Sequence, residues 1–390
     1  MSEPLVISDD RYDRLRLIAW WDQEKLRRAK VLVVGAGALG NEVLKNLALL
    51  GIGRVWIVDF DAIEDTNLTR SVLFRSRDRG RNKAVAAADA VRDINPDTRV
   101  TPLPCNVITG IGLGLFRDVD VVIGCLDNRE ARLWVNRQCW KAGTPWIDAG
   151  IQEINGVVKT FSPPDSACYE CAMTENDYRL INLRYSCPLL RREDLLAGKV
   201  PTAPTIASMI GGLQVQEALK LLHGLPVATG EALVYNGIAN TFYRTAFQRK
   251  DDCLSHETYG EPIELPLTSA AQADELFAAV RARHSAANLR LELERDLVVS
   301  LACAGCGNNR RVMRPRQLVA HTEAECPQCG GLAKPRQIHA VTPGDEFARE
   351  SLSALGVAPY DVVRVSNGET TESYLIAGDR PLFAEEGALS

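Results

Sequence analysis

The chain has 390 residues, 46% of them apolar and 24% charged, with a net charge of −5. At about 150 residues per domain, that length argues for two domains and at most three. The composition is that of an ordinary globular protein. The acidic balance excludes a basic nucleic-acid footprint, and no apolar run reaches the ~18 residues of a membrane-spanning helix.

The opening MSEPLVISDDRYDR is too charged for a secretory signal. The closing EEGALS offers no lipidation box, so a cytoplasmic location is expected. Residues 1–30 read as one amphipathic helical region. A buried-strand run, VLVV at 31–34, leads into GAGALG and a helical pattern, NEVLKNLALL, closed by Gly51. The strand VWIVDFD ends in acids, and a polar stretch follows to Lys83. Then come the helix AVAAADAVRDI, a strand near 99–104, a helix near 108–117 and the strand VDVVIGCLD. The helix REARLWVNRQCWKAG and the strand PWIDAG close the series. Alternation at this spacing predicts an α/β fold, a doubly wound Rossmann-like domain with a mostly parallel sheet.

After Gly150 the texture changes. GVVKTFSP is a further strand, and residues 163–204 read as a long irregular loop, a feature that is usually functional. The helix TIASMIGGLQVQEALKLLHG and the strands ALVYNG and NTFYRTAFQ follow. The break in RKDDCLSHETYGEP sets two domains, 1–258 and 259–390. The second is expected to be a smaller α+β unit. It reads as a strand (PIELPL), a helix (AAQADELFAAVRAR), a strand (LRLELERDLVVSLAC), a Cys-rich segment, a helix at 346–356 and two closing strands, DVVRVS and ESYLIAG.

Gly35, Gly37 and Gly40 form G-x-G-x-x-G between a strand and a helix, where backbone can approach phosphate at the helix N-terminus. Asp59 ends the next strand, where a carboxylate meets ribose hydroxyls. Alone, this pattern reads as a dinucleotide site or as packing glycines. Arg70, Lys83 and Asp127 separate the cases. Two cations and a hard carboxylate suit a triphosphate with Mg²⁺, and a dinucleotide needs no such set. No Walker A sequence occurs.

Eleven cysteines are many for such a chain, and six of them fall in three Cys-x-x-Cys pairs. An odd count without a signal peptide argues against a disulfide framework and for metal in a reducing compartment. Cys303/Cys306 and Cys326/Cys329 have zinc-ribbon spacing, with Gly307 and Gly330 after the pairs as tight knuckles require. Cys168/Cys171 needs two more ligands for a closed site. Cys125 and Cys139 read as core, and Cys105 carries no signal. Cys187 lies in the long loop between Arg184, Arg191 and Arg192, and positive charge of that kind favours thiolate.

Together these motifs resemble the ThiF/MoeB/ubiquitin-activating superfamily of adenylyltransferases. The matching pieces are R-Y-D-R at 11–14, V-G-A-G-A-L-G at 34–40, D-F-D at 59–61, N-L-T-R at 67–70, Lys83, and D-N-R-E-A-R-L-W-V-N at 127–136. Cys168-x-x-Cys171 and the TIAS helix also match, so the resemblance spans roughly residues 10–256. Ser71 departs from it, since the family usually has Gln there. The resemblance implies that backbone around Gly37 cradles ATP and Asp59 holds the ribose. Asn67, Arg70 and Lys83 would contact phosphates, and Asp127, beside Asn128, would bind Mg²⁺. Arg14 would reach the ATP of a second subunit, which implies a homodimer. The family places a second Cys-x-x-Cys where this chain has Cys253-Leu-Ser-His256. That implies a structural zinc site of Cys168, Cys171, Cys253 and His256, beside the Cys303/Cys306/Cys326/Cys329 ribbon. The family often carries a reactive cysteine on its crossover loop, which makes Cys187 the candidate nucleophile.

The reaction implied is ATP-dependent activation of a C-terminal carboxylate. In one reading a ubiquitin-like protein is adenylated, held as a Cys187 thioester and passed to a conjugating enzyme. In the other, a sulfur-carrier protein is adenylated for thiamine, molybdopterin or cysteine synthesis. The unit at 259–390 favours the first as a docking module. A scaffold without activity is disfavoured by the intact Arg70, Lys83 and Asp127. Neither nucleic acid nor membrane is expected as a partner.

Overall fold

Runs of branched side chains and helices closed by glycine set the architecture. The computed structural model describes residues 10–179, 201–283 and 288–384. Residues 10–107 with 116–258 form one compact unit, and residues 108–115 with 259–384 form the other.

In the first unit, α1 (Gln23–Arg28) precedes β1 (Lys30–Val34), α2 (Ala38–Leu50), β2 (Arg54–Val58), α3 (Lys83–Ile94) and β3 (Arg99–Leu103). Then follow α4 (Leu113–Asp118), whose residues 113–115 count with the other unit, β4 (Val121–Gly124), α5 (Arg129–Ala142), β5 (Trp146–Gln152), β6 (Asn155–Phe161), α6 (Pro204–His223), β7 (Glu231–Asn236) and β8 (Thr241–Ala246). The sheet order is β3-β2-β1-β4-β5-β6-β7-β8. The first five strands pair in parallel and the last three antiparallel. Strand order reverses between β1 and β4, where the crevice of such sheets lies. Val43, Leu44 and Leu47 of α2 are buried with Val31, Val33, Ile57 and Ile123 of the sheet. Each such side chain stabilises the fold by about 2 kcal/mol.

The N-terminal region departs from the expected single helix. Among residues 10–30 only a 3-10 turn (Leu15–Leu17) and the six-residue α1 are helical. Asp22 is extended and caps α1 by accepting the Lys25 amide, so the helix starts anew there. Tyr12 is buried, and its hydroxyl accepts a hydrogen bond from Asn95 at 2.6 Å.

The second unit contains β9 (Ile263–Leu265), α7 (Ala273–Arg281), β10 (Arg290–Cys303), β11 (Asn309–Pro315), β12 (Ala333–Val341), β13 (Val362–Ser366), β14 (Thr371–Ile376) and α8 (Pro381–Ala384). Its sheet runs β11-β10-β13-β14-β9, with β12 also on β10. Strands β11 and β12, on either side of the cysteine knuckles, were not expected. The expected helix at 346–356 is a series of turns instead. Its backbone serves the 269–274 segment: Ala348 and Glu350 carbonyls accept from Asp274 and Ala273, and Leu352 and Ser353 amides donate to Ala271 and Ser269. Those groups are then not free for an i to i−4 ladder. Residues 108–112 are not helical either; Gly112 donates to Pro359, and Leu113 donates to buried Asp361. Among the described residues no helix is long and apolar enough to cross a membrane.

Candidate functional site

The glycine turn joins β1 to α2. Gly35 has φ +99°, and a Cβ there would lie 2.4 Å from the Cys125 carbonyl oxygen. A Cβ on Gly40 would lie 2.0 Å from the Gly35 carbonyl. These two glycines therefore let strand, turn and helix close on one another. Gly37 differs, because a Cβ there would meet nothing within 4 Å. It is the N-cap of the 13-residue α2 and supplies no side-chain cap. The helix N-terminus thus has open space at its cap and first-turn amides without a side-chain cap, an arrangement that suits an anion.

Asp59 follows β2 and accepts the Ala36 amide at 2.8 Å and the Asp61 amide at 2.8 Å. Burial pushes its carboxyl up, against the opposing pull of the Ala36 amide and the Lys83 charge. Lys83 opens α3 and pairs with Asp61 at 2.8 Å, its side chain only 12% exposed. Asn82 caps α3 and ties back to the Asp59 and Asp61 carbonyls. Asn67 accepts the Glu64 amide, and Arg70 donates to the Thr66 carbonyl at 2.9 Å. Asp127 is exposed beyond β4, whereas the Asn128 side chain caps α5 by accepting the Ala131 amide. Asp59, the glycine turn and Asp127 therefore follow the C-terminal ends of the neighbouring strands β2, β1 and β4. Arg14 is exposed on the N-terminal segment that Tyr12 anchors. Cys187, with its flanking arginines, lies outside the described residues.

Two cysteine clusters form. Cys168 Sγ lies 3.7 Å from Cys171 Sγ and 3.5 Å from Cys253 Sγ, and Cys171 Sγ lies 3.4 Å from His256 Nε2. In the second unit Cys303–Cys329 is 3.5 Å and Cys306–Cys326 is 3.6 Å. The ligand atoms within each group lie within 4.8 Å of one another. A tetrahedral zinc with Zn–S of about 2.3 Å has S···S edges of about 3.8 Å, so both groups fit that ion. Hydrogen bonding from Cys253 holds the Cys168 thiol down to about 5, and backbone amides of Gln328 and Cys329 hold Cys326 down to about 6. By contrast, burial pushes Cys105 up to about 11 and also raises Cys125 and Cys139. Those three thiols are poor nucleophiles at neutral pH.

Several supporting residues escaped the sequence reading. Asn41 in the first turn of α2 is fully buried. It donates to Ala36 and Gly37 carbonyls at 2.8 and 2.9 Å and accepts the Leu73 amide at 2.8 Å. Glu170, between two metal-spaced cysteines, accepts from Arg137 and Tyr178 at 2.7 Å and from Ser255. Ser255 lies between Cys253 and His256, so Glu170 cross-braces the two halves of that cluster. Trp140 of α5 stacks on His256 with ring centroids 5.4 Å apart. The fully buried Asp148 in WIDAG was a visible signal, because an acid in an apolar strand requires a cation.

Residues 10–255 match the ThiF family. The ubiquitin-like modifier-activating enzyme 5 of Dictyostelium discoideum is 29% identical over 269 residues, covering 64% of this chain and 68% of its own. The sulfur carrier protein adenylyltransferase of Thermus thermophilus is 31% identical over 260 residues, covering 63% of this chain and 89% of its own. E. coli MccB with ATP shares the fold, with TM-score 0.53 and 24% identity over 65% of this chain and 75% of that one.

Proposed function

The chain belongs to the ThiF family, and we propose that it uses ATP to adenylate the C-terminal glycine carboxylate of a ubiquitin-like protein. The observation that carries this reading is the grouping at the strand-order reversal. An uncapped helix N-terminus at Gly37, Asp59 and Asp127 follow the ends of adjacent strands, with Lys83 opening the next helix and Arg70 on the segment between Asp59 and Lys83. In this reading the α2 amides, Asn67, Arg70 and Lys83 bind the phosphates, and Asp59 turns toward the ribose. Asp127, beside Asn128, would hold Mg²⁺, which when bound neutralises phosphate charge. The substrate carboxylate attacks the α-phosphorus, the bond to the β-phosphate oxygen breaks and pyrophosphate leaves. An acyl-adenylate remains, whose AMP is a good leaving group. Catalysis by these residues is orientation and charge stabilisation.

Cys187 then takes the acyl group as a thioester and AMP departs; transfer to a conjugating enzyme follows. Arg14 reaches the nucleotide of a second subunit in a homodimer. Both cysteine clusters hold structural zinc, that of the second unit as a ribbon, with four protein ligands leaving no open position. We retain the division into an adenylation domain, 1–258, and an appended domain, 259–390. The appended domain, with its own cysteine cluster, favours a docking role for a protein partner.

A second reading is supported by the Thermus thermophilus relative, of which 89% is covered. It makes the substrate a sulfur-carrier protein, with the acyl-adenylate consumed by a sulfur donor. The two separate when the protein is incubated with ATP, a candidate carrier protein and sulfide as sulfur donor, and the products are read on gels and by mass spectrometry. Ubiquitin-like activation predicts an adduct that a thiol reductant removes and Cys187→Ala abolishes. A reductant-sensitive adduct that persists in Cys187→Ala reassigns the nucleophile. Formation of a C-terminal thiocarboxylate on the carrier, without an enzyme adduct, supports the second reading.

A further inference from the structure

Two backbone carbonyls and one buried carboxylate converge on one guanidinium. Arg132, in the first turn of α5, donates through Nη2 to the Leu126 carbonyl at 2.6 Å and the Ala149 carbonyl at 2.8 Å. Its Nε lies 3.1 Å from the fully buried Asp148 carboxylate, an ion pair without hydrogen-bond alignment. Lys159 of β6 approaches the other Asp148 oxygen at 3.5 Å and lies over the Tyr169 ring at 5.1 Å. The Asp148 charge thus anchors Arg132. Leu126 immediately precedes Asp127, whose exposed carboxylate cannot be fixed by packing of its own. The Cys125 amide is tied to Val34 of β1 at 2.7 Å, and Asn128 begins α5 as its cap. Between those two anchors, Arg132 holds the turn through the Leu126 carbonyl. The guanidinium donates to both carbonyls from one nitrogen while its charge faces Asp148; a lysine ammonium is a point charge without that fixed geometry.

We propose that Arg132, anchored by Asp148, is a positioning residue that fixes the Leu126–Asp127 turn and so sets where the Asp127 carboxylate meets the phosphate end of the nucleotide. This rests on the reading of Asp127 given above.

The test is calorimetric titration of the full-length protein with ATP plus MgCl₂ and, separately, with AMP without Mg²⁺. Arg132→Met is expected to weaken Mg-ATP binding at least tenfold, about 1.4 kcal/mol. AMP, held by the glycine turn and Asp59, should stay within about twofold, well inside that step. Arg132→Lys should recover part of the loss, and Asp148→Asn should fall in the same direction as Arg132→Met. If Arg132→Met does not fold, the lysine and asparagine variants carry the same comparison. Equal losses for both ligands, or no loss for either, overturn the proposal. Asp127→Ala is the control for the underlying reading. If it leaves Mg-ATP binding intact, the assignment of Asp127 fails. If it weakens Mg-ATP while the Arg132 variants do not, only the positioning claim fails.

Discussion

Replacing Asn41 with alanine tests how the glycine turn is held. The amide sits in a fully buried position and makes three hydrogen bonds to backbone, two at the turn and one at Leu73. Gly37 O would keep a partner, because the Asn41 amide also donates to it at 2.9 Å. The Leu73 amide and the Ala36 carbonyl would lose theirs. At roughly 1–3 kcal/mol for each buried group left unsatisfied, the expected cost is about 3 kcal/mol. For a unit of this size that lowers the melting temperature by about 9 °C. Differential scanning calorimetry of the full-length protein measures the shift, and titration with ATP measures its functional consequence. ATP binding should weaken as well, because Asn41 links the turn to the segment that follows Arg70. A stability loss below about 1 kcal/mol, with ATP affinity unchanged, would refute the argument that one buried amide organises both segments.

Gly37→Ala should leave the melting temperature unchanged, because its Cβ would meet nothing within 4 Å, while weakening ATP binding; a loss of stability with unchanged ATP affinity would contradict the open phosphate cradle. Metal analysis should find two zinc ions per chain, with Cys171→Ala losing one and Cys303→Ala the other; a single ion in the unaltered protein would contradict the two-site assignment. Asp78 is buried, and although burial alone would raise its carboxyl, hydrogen bonds from the Arg75 amide and Arg81 hold it below the usual aspartate range. A depressed folded value means that its stabilisation is complete above the unfolded pKa of about 3.9 and is lost as pH falls through the lower folded value. Asp78→Asn should therefore lower the melting temperature at neutral pH, and the difference should shrink in strong acid. A difference independent of pH would show that charge plays no part.

Local pattern made the first unit legible. Branched runs with glycine-closed helices gave its strand–helix alternation, and the glycine turn, Asp59, Lys83 and Asp127 sit at short, regular offsets from those elements. The cysteine pairs were legible because two ligands on one metal-sized cluster require a short, fixed spacing. What was not legible depends on contacts far apart in the chain. Arg132 meets Ala149, Glu170 meets Ser255, and Asn41 meets Leu73, and no periodicity records such pairings. Residues 346–356 have helical composition, yet their backbone groups are taken by the 269–274 segment. The N-terminal helix fails for a local reason that a capping argument could have found, since Asp22 caps a new start.

The central claim, that this chain adenylates a protein carboxylate, is tested most directly by ATP–pyrophosphate exchange with radiolabelled pyrophosphate and a panel of purified ubiquitin-like and sulfur-carrier proteins ending in glycine. The account predicts exchange that depends on one such protein, on its C-terminal glycine and on Asp127. Absence of exchange across the panel, with ATP bound and both zinc sites loaded, would contradict it.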